Sequence, residues 1–285
     1  RALLSFIRPL FLPEGQRSGE RMKYAVIGGS LSGLAIQTIE ELKKRDFHIF
    51  ALDIRNEERE ENGITYIRTD LTKNEEIERA KRIVEEKTDS ISFIANFSGC
   101  VILGSLFENA EGKAERIFSL NFFTTFNFNR IFIPMVMKEK GKVVVISSEY
   151  GKIAAIPLHG YYPASKHAVE AYADSLRREL KPSGVKVITI RPGAFKTAMQ
   201  EAVEGQFEAL LNETSLYKAP LRRMKHIMVG ELKKAKDPEK LGRKVAKIAS
   251  LSHPRAHYNI GNSFKMKLMT LVPSPLLDWI FTLFF

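Results

Sequence analysis

The chain has 285 residues, 44% hydrophobic and 27% charged, enough apolar material for one large α/β unit or two small ones. A single cysteine, Cys100, excludes an internal disulfide and fits a reducing, cytoplasmic compartment. The net charge of +11 (44 Lys and Arg less 33 Asp and Glu) invites anionic partners, but with no zinc-ligand spacing and no helix-turn-helix signature, nucleic acid is not expected.

Residues 1–22 read as an amphipathic arm. Leu3, Leu4, Phe6, Ile7, Leu10 and Phe11 are apolar, and Pro9 and Pro13 interrupt them. The arm is too short and broken for a signal core or a bilayer span. From Lys23 onward the pattern alternates strand and helix. An apolar run at 24–27 ends in Gly28-Gly29-Ser30-Leu31-Ser32-Gly33, and Leu34, Thr38, Ile39 and Leu42 then recur at helical spacing. Strands are expected at 47–52 and 64–67. Thr72 and Glu75 predict a capping box for a helix to about Lys87. A fourth strand covers 91–95. A long helix over 113–137 carries a face of Phe118, Phe122 and Phe126, bent at Pro134. The run 143–146 is β-branched throughout, as in a strand buried on both faces. A helix beginning near Tyr161 runs to about Leu180, and a sixth strand follows at 185–190.

The last hundred residues are less regular. Residues 194–235 mix apolar and basic positions and form a segment that can cover a site. Asp237 and Pro238 start a helix, a seventh strand is expected at 256–260, and two very apolar helices at 264–272 and 275–285 make up a tail over 262–285. The tail and residues 1–12 offer peripheral membrane contact or a packing surface for a dimer. Strict alternation over 23–261 implies a doubly wound, mainly parallel sheet with helices on both faces. Ligands of such sheets sit beyond the carboxyl ends of the strands.

The polar signatures fall at those ends. The Gly29–Gly33 turn, with Ser30, Ser32 and Leu34, lets the backbone and a helix N-terminus approach a pyrophosphate. Asp53 ends the second strand, where a carboxylate can accept from both hydroxyls of an adenosine ribose and repel a 2′-phosphate. That favours NAD over NADP, with Arg55 as the group that could reverse the choice. Asp70 and Leu71 are placed for the adenine, Asn96, Ser98 and Gly99 for the crevice wall, and Pro192, Gly193 and Thr197 for the nicotinamide side. Ser148 ends the fifth strand. Tyr162 and Lys166 stand four residues apart on one helical face, so a hydroxyl, a phenol and an ammonium can converge. Such a trio suits proton transfer to and from an oxygen. Tyr161 is a rival phenol without a lysine four residues on, Ser147 a rival serine, and His159 a candidate for the pocket wall.

Taken in order, Gly29-x-x-x-Gly33, Asp70, Asn96-x-x-Gly99, Asn121, Ser148, Tyr162-x-x-x-Lys166 and Pro192-Gly193-x-x-x-Thr197 resemble the short-chain dehydrogenase/reductase family, with hydroxysteroid and retinol dehydrogenases among its members. The resemblance is dense over 23–199. It departs at Gly28, where threonine is usual, at Ala35, where glycine is common, and in one extra residue between Ser148 and Tyr162. It implies a homo-oligomeric (dimeric or tetrameric) oxidoreductase that uses NAD, or NADP, on a secondary alcohol or ketone. Tyr162 would be the acid/base, Lys166 would hold the nicotinamide ribose, Ser148 would bond the substrate oxygen and Asn121 would order a water. No metal is required. Phe195, Met199, Phe207 and Leu210 in the lid point to a hydrophobic substrate such as a steroid, retinoid or lipid. A phenol titrates near 10, so lowering it by ~3 units for work near neutral pH needs about 4 kcal/mol of extra phenolate stabilisation, expected from Lys166 and an oxidised nicotinamide. The other reading is an NAD-binding sensor or scaffold without turnover. Loss of Tyr162, Lys166 or Ser148 would have favoured it, and all are present.

Overall fold

In the computed structural model the described residues are 22–153, 155–232, 234–263, 268–269 and 271–283. The arm over 1–21 and most of the first tail helix expected at 264–272 lie outside them. Strands are β1 Lys23–Gly28, β2 Phe47–Asp53, β3 Arg59–Glu61, β4 Ile64–Arg68, β5 Phe93–Asn96, β6 Lys142–Ile146, β7 Lys186–Pro192 and β8 His257–Ile260. They form one sheet in the order β3-β4-β2-β1-β5-β6-β7-β8. Every pairing is parallel except β3 with β4.

The helices are α1 Gly33–Lys43, α2 Asn74–Glu85, α3 Lys113–Phe118, α4 Thr124–Lys138, α5 Tyr161–Glu179, α6 Ala198–Glu213, α7 Lys218–Leu232, α8 Glu239–Ser250 and α9 Ser274–Thr282. Period-2 alternation sorts the strands' side chains between two layers. Ala25, Ile27, Val144, Ile146, Ile188 and Ile190 bury against α1 and α8. Val26, Phe50, Ile94, Val143, Val145 and Val187 bury against α2, α4 and α5. Each fully buried Ile, Leu or Phe contributes roughly 2 kcal/mol.

Three local expectations are corrected. The helix before β5 has no Thr72–Glu75 box. Lys73 is its cap residue without a side-chain bond, Thr72 Oγ1 donates to Asp70 Oδ1 at 2.7 Å, and Glu76 accepts from the Asp70 N–H at 2.6 Å. The carboxylate one position further on is the one that reaches back. The long Phe-faced helix is three pieces. A π-helical turn, Ser119–Phe123, separates α3 from α4, so the break is there and Pro134 sits inside α4. The third is β3, where no strand was expected. Asn62 and Gly63 both have positive φ, at 51° and 77°, and fold Arg59–Glu61 back on β4 as a two-residue hairpin.

The chain leaves β4, crosses behind β1 and enters β5, so the order reverses between β1 and β5. A crevice opens there at the carboxyl ends. No helix among the described residues is long and apolar enough to cross a membrane. In α9, Leu277 is buried while Leu276 and Trp279, and Leu283 just past its end, are exposed.

Candidate active site

Backbone geometry shapes the crevice over β1. Gly29 has a φ of 64°, a left-handed value that costs an L side chain about 1–2 kcal/mol. A Cβ there would also lie 2.5 Å from the Ser98 nitrogen. A Cβ on Gly33 would come within 3.0 Å of Thr197 Cγ2, and one on Gly193 within 2.5 Å of the Gly261 carbonyl. The ends of β1, β5, β7 and β8 therefore meet, with no room for side chains where a pyrophosphate would lie against backbone. This cradle fits a dinucleotide. Ser32 caps α1, its Oγ accepting from the Ala35 N–H at 3.3 Å, and Leu34 packs on the core.

Asp53, buried at the end of β2, accepts from the Leu31 N–H at 3.1 Å through Oδ2 and from the Arg55 N–H at 3.1 Å through Oδ1. Its carboxylate is thereby aimed along the glycine turn. Arg55 Nε stands 3.4 Å from it with its side chain largely exposed. Other expected cofactor residues hold the wall through their own bonds. Ser30 accepts from Asn56 at 3.2 Å, and Asn96 bonds the Ser98 N–H at 3.0 Å and the hydroxyls of Thr124 and Thr125 at 3.3 and 3.4 Å. Ser98 Oγ donates to Thr124 at 2.9 Å. Burial opposes the charge of Asp70, but its bonds from Thr72 and the neighbouring Lys73 outweigh this and keep its carboxyl below the ordinary range. Leu71 is buried beside Gly28 and Asn96. Pro192 ends β7 paired with Ile260, and Thr197 precedes α6.

The catalytic candidates converge on α5. Tyr162 and Lys166 are both buried, with Nζ 5.7 Å from the centre of the phenol ring. Lys166 Nζ donates to the Ile146 carbonyl at 3.2 Å. Ser148 lies near enough to the Tyr162 phenol to pull its titration down, and its Oγ accepts from the Tyr150 N–H at 3.2 Å. The rivals are placed elsewhere. Ser147 Oγ is buried against Gly151 with no hydrogen-bond partner among the described residues, and the Tyr161 hydroxyl donates to the Ser105 carbonyl at 2.8 Å. Asn121 sits in the π-helical turn with no exposed surface. Its Oδ1 accepts from the Cys100 N–H at 2.7 Å, and its Nδ2 donates to the Cys100 carbonyl at 3.0 Å and to Ser165 at 2.9 Å.

Electrostatically this half differs from the expectation. Burial pushes the Tyr162 phenol up to about 12 against a partial pull down from Ser148, with Glu149 and Cys100 adding to the rise. Burial pushes Lys166 down to about 8, with Cys100 and Glu170 resisting. Desolvation of both groups outweighs their neighbours in the protein alone. Around the phenol lie Val101, Ile102, Ile117, Phe118 and Tyr150. The extra-length loop contributes His159, which packs edge-on against Tyr150 at 4.8 Å and lies 5.7 Å from the Tyr162 ring. Burial lowers His159 to about 4, and its Nδ1 has no hydrogen-bond partner among the described residues.

Helices α6 and α7 cover this side. Phe207, Leu210 and Leu221 pack on Leu103. Gln206 accepts from the Leu103 N–H and donates to the Val101 carbonyl, each at 2.9 Å. Glu108 accepts from the N–H and hydroxyl of Ser215, each at 2.7 Å, and from the Thr214 hydroxyl. Those bonds hold its carboxyl down at about 2.

Residues 23–207 match the short chain dehydrogenase family. The chain belongs to that family. The uncharacterized oxidoreductase YbbO of Escherichia coli is 34% identical over 186 residues, 64% of this chain and 69% of its own. A 3-ketodihydrosphingosine reductase of Bacteroides thetaiotaomicron is 27% identical, covering 83% of this chain and 87% of its own. The solved structure of ElxO with NADP bound overlays 86% of this chain and 99% of its own, with a TM-score of 0.69 at 18% identity. The protein is thus an oxidoreductase of the short-chain dehydrogenase family, which uses NAD or NADP. Two charged residues of this site carry no part in the motifs that mark the family in the sequence. They are Glu170 and Arg191, joined by bonds of 2.8 and 2.7 Å. The available signal was spacing, since Glu170 continues the Tyr162–Lys166 face by one more turn.

Proposed function

We propose that this dehydrogenase interconverts a secondary alcohol and a ketone on a hydrophobic substrate, with Tyr162 as the acid/base. The observation that carries it is the buried Ser148–Tyr162–Lys166 trio at the carboxyl end of β6, opening on an apolar wall. Ser148 and Tyr162 hold the substrate oxygen between two hydroxyls. Tyr162 gives or takes its proton, and Lys166 stabilises the phenolate and reaches toward the nicotinamide ribose. A bound nicotinamide would accept or donate the hydride and, when oxidised, would supply positive charge to a phenol that burial alone pushes up to about 12. Asn121 fixes the loop carrying Cys100 against α5 through Ser165 and so keeps the pocket floor in place.

Asp53 supports NAD as the preferred cofactor, since its carboxylate faces the glycine turn. Arg55 beside it supports the alternative, as do the NADP-bound structural neighbours. The substrate class is supported by the lid cluster and by relatives named for a ketosphingoid base and for retinol. The exposed Leu276, Trp279 and Leu283 support peripheral membrane contact by the tail. The exposed Phe126 of α4, beside Tyr172 of α5, and the exposed Phe123 of the π-helical turn support pairing with a second copy. A cofactor-absorbance assay with NAD and NADP on a panel of secondary alcohols tests the reaction. Tyr162→Phe is expected to lower kcat by ~10²–10⁴ while cofactor binding persists. Equal rates in the variant would remove the mechanism, and a lower KM for NADP would reverse the cofactor choice.

A further inference from the structure

The Tyr162–Lys166 face of α5 continues to Glu170, one turn on. Its side chain is only 4% exposed, and a carboxylate taken out of water needs charged or hydrogen-bonding partners. Strand β7 supplies one. Residues 187, 189 and 191 alternate onto the α5 side of the sheet, and Arg191 Nε and Nη2 reach Glu170 Oε1 and Oε2 at 2.8 and 2.7 Å. This is the fork-to-fork pairing that only a guanidinium makes. Arg191 directly precedes Pro192–Gly193, the turn on the nicotinamide side. The loop after Ser148 supplies the next partner. Lys152 Nζ stands 3.9 Å from Glu170 Oε2, and a Cβ on Gly151 would lie 3.0 Å from Glu170 Cγ and 3.2 Å from the Lys166 carbonyl. One carboxylate therefore touches the strand end before the nicotinamide turn and the loop behind Ser148, from the helix that bears Tyr162 and Lys166.

We propose that Glu170 is a positioning residue of this dehydrogenase, locking the nicotinamide turn and the Ser148 loop onto α5 and placing a carboxylate one turn from Lys166. The proposal rests on the reading of Tyr162 and Lys166 given above. The groups facing Lys166 are Tyr162 and Glu170 on its own helix, Cys100 from the loop after β5, Asn121 from the π-helical turn and the Ile146 carbonyl of β6. Glu149 faces the phenol. Arg191 and Lys152 face Glu170 from the other side. Burial raises the Cys100 thiol, so it is neutral near pH 7, and Glu170 is the carboxylate acting on the ammonium. Between them, burial lowers Lys166 and Glu170 offsets part of that loss.

The direct test is an NMR titration of ¹³C-labelled lysine in the cofactor-free protein, with Lys166→Arg to assign the signal, alongside kcat and cofactor KM against pH. In Glu170→Gln the Lys166 midpoint should fall by roughly one pH unit, and the alkaline limb of kcat should fall with it. Glu170→Asp keeps the charge but shortens the reach. Its limb should stay while the cofactor KM rises several-fold. Arg191→Lys keeps both charges without the fork and should repeat the KM effect, which decides the positioning claim if Glu170→Gln does not fold. An unmoved Lys166 titration in folded Glu170→Gln, or an unchanged cofactor KM in both Glu170→Asp and Arg191→Lys, overturns the proposal. The titration reads the Glu170–Lys166 coupling whether or not Lys166 acts in catalysis. An active Tyr162→Phe would refute the underlying mechanism separately.

Discussion

The two sides of the crevice are built by different means. Over β1 and at the ends of β7 and β8 the surface is backbone, drawn so tight that Gly29 and Gly193 leave no room for a Cβ. Beside α5 the surface is side chains, anchored mostly on backbone: Asn121 on the Cys100 N–H and carbonyl and the Ser165 hydroxyl, Lys166 on the Ile146 carbonyl, Tyr161 on the Ser105 carbonyl. A backbone-built wall ignores protonation but fails on one added carbon. A side-chain-built wall accepts modest changes of shape but depends on which groups carry charge. The first suits a ligand whose phosphates are always alike, the second a step in which a proton moves.

The largest effect should come from breaking the backbone side. Gly29→Ala must either leave its φ of 64° or drive its Cβ into Ser98, and should cost 3 kcal/mol or more in cofactor binding, over 100-fold in Kd by fluorescence titration. Activity should vanish with binding while the proposed Ser148–Tyr162–Lys166 trio keeps its place. Next comes His159, the group that most exposes the other side to pH. Its ordinary value is 6.5 and burial holds it near 4. Between these values the unfolded chain binds a proton that the folded chain refuses. Stability therefore rises with pH across that window and is lost as pH falls from 6.5 toward 4. The gap is worth about 3 kcal/mol, and His159→Phe should flatten the difference between urea unfolding at neutral and at mildly acid pH. Asn121→Leu removes the partners of both backbone groups of Cys100 and of Ser165. It should cost about 2 kcal/mol of stability and lower kcat more than cofactor affinity, read by urea unfolding and steady-state kinetics. The smallest effect belongs to Glu108, a half-buried clasp on the Thr214–Ser215 turn between α6 and α7. Its carboxyl lies below its ordinary 4.5, at about 2, so its hold on Ser215 is complete above 4.5 and fades as pH falls toward 2. The protection factors of the 214–217 amides, exchange normalised to the intrinsic rate at each pH, should fall over that interval, and Glu108→Gln should show the fall already at neutral pH.

The same division governs what can be read from the chain. The sheet was legible because buried parallel strands are unbroken apolar runs, and the glycines were legible because a turn that meets a phosphate tolerates little else. Tyr162, Lys166 and Ser148 came through on spacing and on their place at a strand end. Strand β3 did not, because Arg59-Glu60-Glu61 reads as a charge run and hides the Asn62-Gly63 hairpin signal that follows. The π-helical turn had no sequence mark, since one residue more per turn leaves a phenylalanine face looking helical. The bonds of Asn121 to Cys100 and the pairing of Glu170 with Arg191 join residues 21 apart in the chain, that of Asn121 to Ser165 residues 44 apart, and periodicity says nothing about partners at such distances. The upward shift of Tyr162 in the protein without cofactor was not legible for a related reason. Neighbouring charges can be counted from motifs, whereas burial is known only once the chain is folded.

The π-helical turn at Ser119–Phe123 also bears on how this fold can change. Such a turn is an α-helix with one residue too many, and it is rare because the wider turn is poorly packed. Deleting a single residue there would let α3 and α4 join into one regular helix. The same deletion would rotate every earlier side chain by about 100° relative to α4 and carry Asn121 away from Cys100. The easier helix and the working pocket are therefore alternatives one codon apart, and a lineage that ceased to need the pocket would have a short path to the straighter form.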